Sequence, residues 1–153
     1  MSKKVGIISD THGLVRTEAI KYLKGCELII HAGDVGKPEV IHILKKIAPV
    51  VAVRGNVDKN DWAEELPKTE VIEIANKLIY VIHDISKLDL NPRAAGFNMI
   101  IYGHSHKPKK ETVDGVIYLN PGSAGPGRFN LPISLALMKV DKNAIDVSII
   151  ELI

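Results

Sequence analysis

Three short apolar runs in the first third of the chain, Val5 to Ser9, Leu28 to His31 and Val50 to Val53, each end abruptly in polar residues. Runs this short and this rich in β-branched residues read as buried strands. The segments between them have helical spacing. Ala19, Ile20 and Leu23 share one side of Thr17 to Lys24. Val40, Ile41, Leu44 and Ile47 follow Pro38, a residue suited to a first helical turn, and Pro49 stops the pattern. Buried strands separated by amphipathic helices imply parallel pairing through right-handed crossovers.

The remainder is richer in strands. Glu70 to Ala75 and Leu78 to His83 read as a hairpin across Asn76-Lys77, and Asn91 to Phe97 as a short helix. Met99 to Tyr102 is a further buried run. Lys110 to Val113 and Val116 to Leu119 flank Asp114-Gly115, a strong hairpin signal. Ile133 to Val140 and Ala144 to Leu152 form a last pair around Lys142-Asn143. The expectation is an α/β fold with a parallel half and an antiparallel half. A length of 153 residues with 46% hydrophobic side chains suits one domain over residues 1–153 with a real core.

Charge narrows the function classes. A formal net charge of +2 is too mild to argue for nucleic-acid or membrane binding. No stretch approaches the length of a transmembrane helix, and the apolar run after Lys3-Lys4 ends too soon, at Asp10, for a signal peptide. The single cysteine, Cys26, excludes an intramolecular disulfide and agrees with a cytoplasmic location. After Gly25 it reads as a buried structural thiol.

The chemistry sits at the strand ends. These read Asp10-Thr11-His12, Gly33-Asp34, Gly55-Asn56-Val57-Asp58, His83-Asp84 and Gly103-His104-Ser105-His106. In open α/β sheets ligands bind beyond the carboxyl ends of the strands, so five such ends could converge on one site. Carboxylate, carboxamide and imidazole without thiolate suit divalent Mn, Fe, Co, Ni or Zn. Seven candidate ligands (Asp10, His12, Asp34, Asn56, His83, His104, His106) are too many for one ion, whereas two ions sharing a carboxylate use them well. Two divalent ions exceed the charge of Asp10, Asp34 and a hydroxide by about one unit, which favours an anionic phosphate ester.

Each element also has a plainer reading. Asp34 could cap a helix, Asn56 and Asp58 could form an Asx turn, and Asp10-x-His12 could be a loop pair. His42 reads as a surface or packing residue and His31 as a satisfied buried one. Arg54 could contact a phosphate or be solvated. Lys107, Lys109 and Lys110 suggest a solvated strand edge, and Trp62 a packing anchor.

The series Asp10-x-His12, Gly33-Asp34, Gly55-Asn56-x-Asp58, His83 and Gly103-His104-x-His106, followed by Asn120-Pro121-Gly122-Ser123, resembles the calcineurin-like metallophosphoesterases. It is most similar to their small phosphodiesterase branch of bacteria and archaea, over Val5 to about Arg128. The resemblance implies a four-layer αββα sandwich of mixed sheets and two divalent ions per chain, manganese first. It assigns Asp10, His12 and His106 to one ion, Asn56, His83 and His104 to the other, and Asp34 as the bridge, with Asp58 and Asp84 standing behind the ligands. Asn56, Ser123 and Arg128 are candidate substrate contacts; Ser123 could equally belong to a turn and Arg128 to a solvated loop. The substrate would be a small phosphate ester and the reaction a phosphodiester hydrolysis, with a phosphomonoesterase, or a non-catalytic scaffold like the retromer subunit branch, as the alternatives. A nuclease fits poorly, and a homodimer is the default oligomer.

Two departures qualify the resemblance. Val57 stands where many members carry a histidine that protonates the leaving group, so slow turnover of alkyl esters is expected. Asp84 follows the ligand position His83 where glycine is usual, which narrows the pocket or adds negative charge.

Overall fold

The structure is a computed structural model that describes residues 2–128 and 130–153; Met1 and Phe129 lie outside it. Two five-stranded sheets stack face to face. The first has the order β10(Ile145–Glu151), β9(Ser134–Val140), β1(Lys3–Ile8), β2(Leu28–His31), β3(Val50–Ala52). The second runs β4(Thr69–Ile74), β5(Lys77–Ile82), β6(Met99–Ile101), β8(Val116–Asn120), β7(Lys109–Val113). Helices α1(Thr17–Leu23) and α2(Pro38–Lys45) connect β1 to β2 and β2 to β3, and these three strands are parallel as expected.

Side-chain alternation along each strand builds three apolar layers. Val5, Ile7 and Ile30 of the first sheet meet Ile79, Val81, Met99, Ile101 and Leu119 of the second in the central layer. Ile8, Ile29 and Leu135 point the other way, against Ala19 and Leu23 of α1 and Val40 and Leu44 of α2. Trp62 and Cys26 join that outer layer as packing residues. On the far side, Tyr80, Ile82, Ile100 and Tyr102 lie beneath Phe97, Ile85, Leu88 and Leu90.

The fold is therefore the expected α/β sandwich of mixed sheets, and it differs from the sequence reading in four places. The second half is not simply antiparallel: β5, β6 and β8 are parallel neighbours. The last hairpin returns to the first sheet, where β9 pairs with β1 through partners such as Val5 and Met138. The short helix expected over Asn91 to Phe97 is a single turn. Asn91 carbonyl accepts from Ala95 N–H, and Gly96 at φ +86° ends the turn before a second can form. The cover over the second sheet is thus irregular, with a 3₁₀ turn at Ile85–Lys87. The hairpin between β4 and β5 turns at Ala75-Asn76, both left-handed, one residue earlier than expected.

β7 is exposed along its whole length and forms an edge. Lys109 pairs with Glu111, and Lys110 Nζ donates to the Val147 carbonyl, so charge guards an open strand.

Ile101 is fully buried between the sheets. Ile101→Ala is expected to cost about 2–5 kcal/mol of unfolding free energy through lost burial and a residual cavity, read from urea denaturation of the two proteins.

Candidate metal centre

The carboxyl ends of β1, β2 and β3 meet those of β5 and β6 along one edge of the sandwich. Among the described residues, five of the eight non-glycine residues with left-handed backbone are Asp10, His12, Asp34, His104 and His106. Such conformations cost about 1–3 kcal/mol each in non-glycine residues and persist where surrounding structure enforces them. Here they turn side chains back over the strand ends instead of letting the chain run on.

Asp10 is fully buried, and its two oxygens have different surroundings. Oδ2 accepts from the Ser9 hydroxyl at 2.7 Å and from the His104 N–H at 3.2 Å. Oδ1 has no hydrogen-bond partner. It lies 3.5 Å from His106 Nε2, 3.9 Å from His83 Nε2 and 4.0 Å from His12 Nε2. Asp34 Oδ1 accepts from the Val57 N–H, while Oδ2 lies 3.2 Å from His83 Nε2 and 3.7 Å from His12 Nε2. Even the 3.2 Å approach lacks hydrogen-bond alignment, since His83 Nε2 is unpartnered, as is His12 Nε2.

His83 donates through Nδ1 to the Ala32 carbonyl at 2.7 Å, which fixes the ring and leaves Nε2 as the atom that faces the carboxylates. Two donor groups result: Asp10, His12 and His106, and Asp10, Asp34 and His83, the offered atoms of each lying within 4.8 Å of one another. The set that the resemblance assigned to one ion is thus assembled. Asp10 reaches the second group as well as the first. Asp34 Oδ2 stands beside an imidazole of each group. The His104 ring centroid is 5.3 Å from that of His83, and its side chain is 46% exposed; Asn56 is exposed too.

Electrostatics separates the two carboxyls. Burial drives Asp10 up to about 6, against the opposing pull of His83 and the Ser9 hydroxyl. Burial also pushes Asp34 up, but His83 and the Val57 N–H outweigh it and hold Asp34 at about 2. Burial, with His12 and Arg128 nearby, lowers His106 to about 4, so its imidazole is a neutral donor at pH 7. Unpartnered buried carboxylate and imidazole atoms facing one another are a costly arrangement without a cation. The donor set fits divalent metal ions.

Surrounding residues hold this geometry. The buried Asp58 carboxylate accepts the N–H groups of Val35, Gly36 and Gly55 and so clamps the loops after β2 and β3 together. His31 is fully buried; its Nδ1 accepts from the Gly33 N–H, and its Nε2 pairs with Thr11 Oγ1, which donates to the Val35 carbonyl. Burial lowers it to about 3, and it is the satisfied buried histidine that was expected. Asp84 Oδ1 accepts from Ser86 N and Oγ, while Oδ2 lies 4.0 Å from His104 Nε2.

Ser123 is placed differently from its reading as a substrate contact. It is buried and donates to the Asp10 carbonyl at 3.0 Å, so it braces a ligand. Asn120 likewise spans to the Gly103 carbonyl and Ser105 Oγ. Arg128 is exposed and close enough to act on His106. Sequence reasoning overlooked the part of Ser9, a hydroxyl at the strand end beside Asp10, and that of Asn120, masked by its turn-forming neighbours.

Paired carboxylates and imidazoles at the ends of parallel strands define a divalent-metal centre of the kind that phosphoryl chemistry uses. The chain belongs to the calcineurin-like phosphoesterase superfamily, whose domain model matches residues 4–143. It is 32% identical to a probable metallophosphoesterase of Methanothermobacter thermautotrophicus, over 96% of this chain and 91% of that one. A solved archaeal phosphodiesterase superposes with a TM-score of 0.79 at 25% identity, covering 96% of this chain and 99% of the other. Vacuolar protein sorting 29 of Cryptosporidium parvum shares the fold, with a TM-score of 0.79 at 22% identity over 98% and 97%.

Gly55 lies against Asp34: a Cβ there would run into the Asp34 amide nitrogen and Oδ1. Gly55→Ala is expected to displace Asp34 and weaken Mn²⁺ binding about tenfold or more, the scale seen when supports of a metal ligand are lost. Titration calorimetry checks this; unchanged affinity would show that the loop can shift without moving Asp34.

Proposed function

We propose that the protein is a phosphodiesterase acting on small phosphate esters with two divalent ions per chain, manganese first, with nickel, cobalt, iron or zinc able to replace it. The observation that carries this reading is the convergence of buried, unpartnered atoms, with Asp10 Oδ1 3.9 Å from His83 Nε2, 4.0 Å from His12 Nε2 and 3.5 Å from His106 Nε2. In this reading Asp10, His12 and His106 hold one ion, Asn56, His83 and His104 hold the other, and Asp34 is shared. When bound, the ions would lower the pKa of the attacking water and offset charge on the phosphoryl oxygens.

The chain's own residues supply the rest. Hydrogen bonds from Ser9, the His104 N–H and the Val57 N–H hold one oxygen of each carboxylate and leave the other free. The buried donors hold charge, whereas exposed Asn56 and His104 stand where a substrate can arrive. Val57 is 49% exposed and has no proton to give, so the leaving group must depart unaided. That favours activated aryl esters over alkyl esters. A fold shared with a vacuolar sorting protein carries no activity by itself; the catalytic reading rests on the donors.

The first test is hydrolysis of bis(p-nitrophenyl) phosphate. Nitrophenol release with Mn²⁺, abolished by excess chelator, is expected; no release with Mn²⁺, Ni²⁺ or Co²⁺ would overturn the enzyme reading. Asp34→Asn should weaken metal binding and abolish turnover while leaving the circular dichroism spectrum unchanged. Val57→His should raise turnover of alkyl relative to aryl diesters by about tenfold or more, the low side of what a general acid contributes.

A further inference from the structure

A cleft of about 600 Å³ adjoins the centre, with Asn56 and His83 in its lining. Its charged lining is Arg54, Lys59, Lys68, Lys87, Asp84 and Asp89. Four cations against two carboxylates leave a local excess equal to the whole chain's formal net charge of +2. Among the described residues none of the four cations has a carboxylate within 4.0 Å, while Lys3 and Lys109 elsewhere do. Asp84 is already engaged by Ser86. The metal ligands need none of these cations.

The shape agrees with a small ligand. Tyr80 and Ile82 form an apolar wall along β5, and Tyr80 precedes His83 by three positions, so the cleft extends about 10 Å from the centre at the rise of a strand. Arg54 fixes the opposite rim. Its N–H donates to the Pro67 carbonyl and its Nε to the Leu66 carbonyl, which holds the segment carrying Lys68 beside the strand end that carries Asn56.

We infer that this cleft is a second anion subsite, built for a phosphate ester that bears a further phosphate about one sugar unit from the scissile group. The inference rests on the phosphoesterase reading for what happens at the metals, but the binding it asserts does not require turnover. Clustered unpaired cations beside an apolar wall raise the local concentration of a polyanion and orient it.

The test uses Mn²⁺-loaded protein titrated calorimetrically with thymidine 5′-monophosphate and thymidine 3′,5′-bisphosphate. The bisphosphate is expected to bind about tenfold or more tightly at low salt, with the preference shrinking as salt screens it. The exposed double substitution Lys68→Glu with Lys87→Glu should remove the preference while leaving the melting temperature in place. Equal affinity for both ligands, or a preference that survives the double substitution, would overturn the subsite. A parallel assay compares thymidine 5′-(p-nitrophenyl phosphate) with and without a 3′-phosphate. A binding preference with neither ester hydrolysed would support the subsite and sink the hydrolase reading. Hydrolysis of both at equal kcat/KM, with equal affinities, would do the reverse.

Discussion

The Asp10 carboxylate is the group on which the rest of the molecule is organised. It lies at zero exposure where the two sheets meet, one oxygen held by Ser9 and the His104 N–H and the other facing three imidazoles. A buried charge with so few hydrogen bonds is expensive, and the rise of its pKa to about 6 is the same cost seen through protonation. Asp34, only slightly less buried, moves the other way because the Val57 N–H and His83 address it directly. Two carboxyls a few ångströms apart therefore differ in what they lack. Asp34 is already stabilised as an anion, while Asp10 has one oxygen with nothing to answer it. A cation between them would relieve the greater deficit first.

Holding such groups requires backbone that would not form otherwise. The left-handed residues at Asp10, His12, Asp34, His104 and His106 cannot be favoured locally. They are enforced by bonds between loops: Asp10 N–H to the Gly33 carbonyl, His12 N–H to the Asp34 carbonyl, and the three N–H groups gathered by Asp58. Small residues permit the crossing. At Gly103 a Cβ would collide with Ser9 Oγ and press on Asp10 Oδ2, so the loop of one sheet can lie on the first strand of the other only with hydrogen there. The stability to bear this strain comes from the central layer of Ile7, Ile30, Val81, Ile101 and Leu119, all fully buried.

Much of this was legible in the sequence because strand ends and chemistry coincide in it. A buried run that stops near Asp10, Asp34 or His83 announces both a boundary and a candidate ligand, and Asp114-Gly115 announces its turn. What was not legible depends on distant partners. Nothing local in Ser134–Val140 says that it will pair with Lys3–Ile7 instead of continuing the second sheet. Asn91-Pro92 reads as a helix start, and Gly96 decides otherwise after one turn. Ser123 beside a glycine looks the same whether its hydroxyl meets a phosphate or, as here, the carbonyl of Asp10. The basic cleft was invisible for a similar reason. Arg54, Lys59, Lys68 and Lys87 are scattered over three segments, and a mild net charge conceals how they gather.

The same distribution separates two jobs physically. Donors that must not move are buried and cross-braced between the sheets: Asp10, Asp34, His83 and His106. Groups that would meet a substrate stand on the open side, beside the irregular cover of the second sheet, where Asp84 caps a single 3₁₀ turn. None of the hydrogen bonds that position the ligands passes through Lys59, Lys68 or Lys87. Changes at those lysines would therefore leave the donors undisturbed, whereas Asn56 and the Val57 N–H share one loop, so a change there also touches Asp34. On the proposed reading, substrate choice and metal retention would be mechanically uncoupled on one rim of the cleft and coupled on the other.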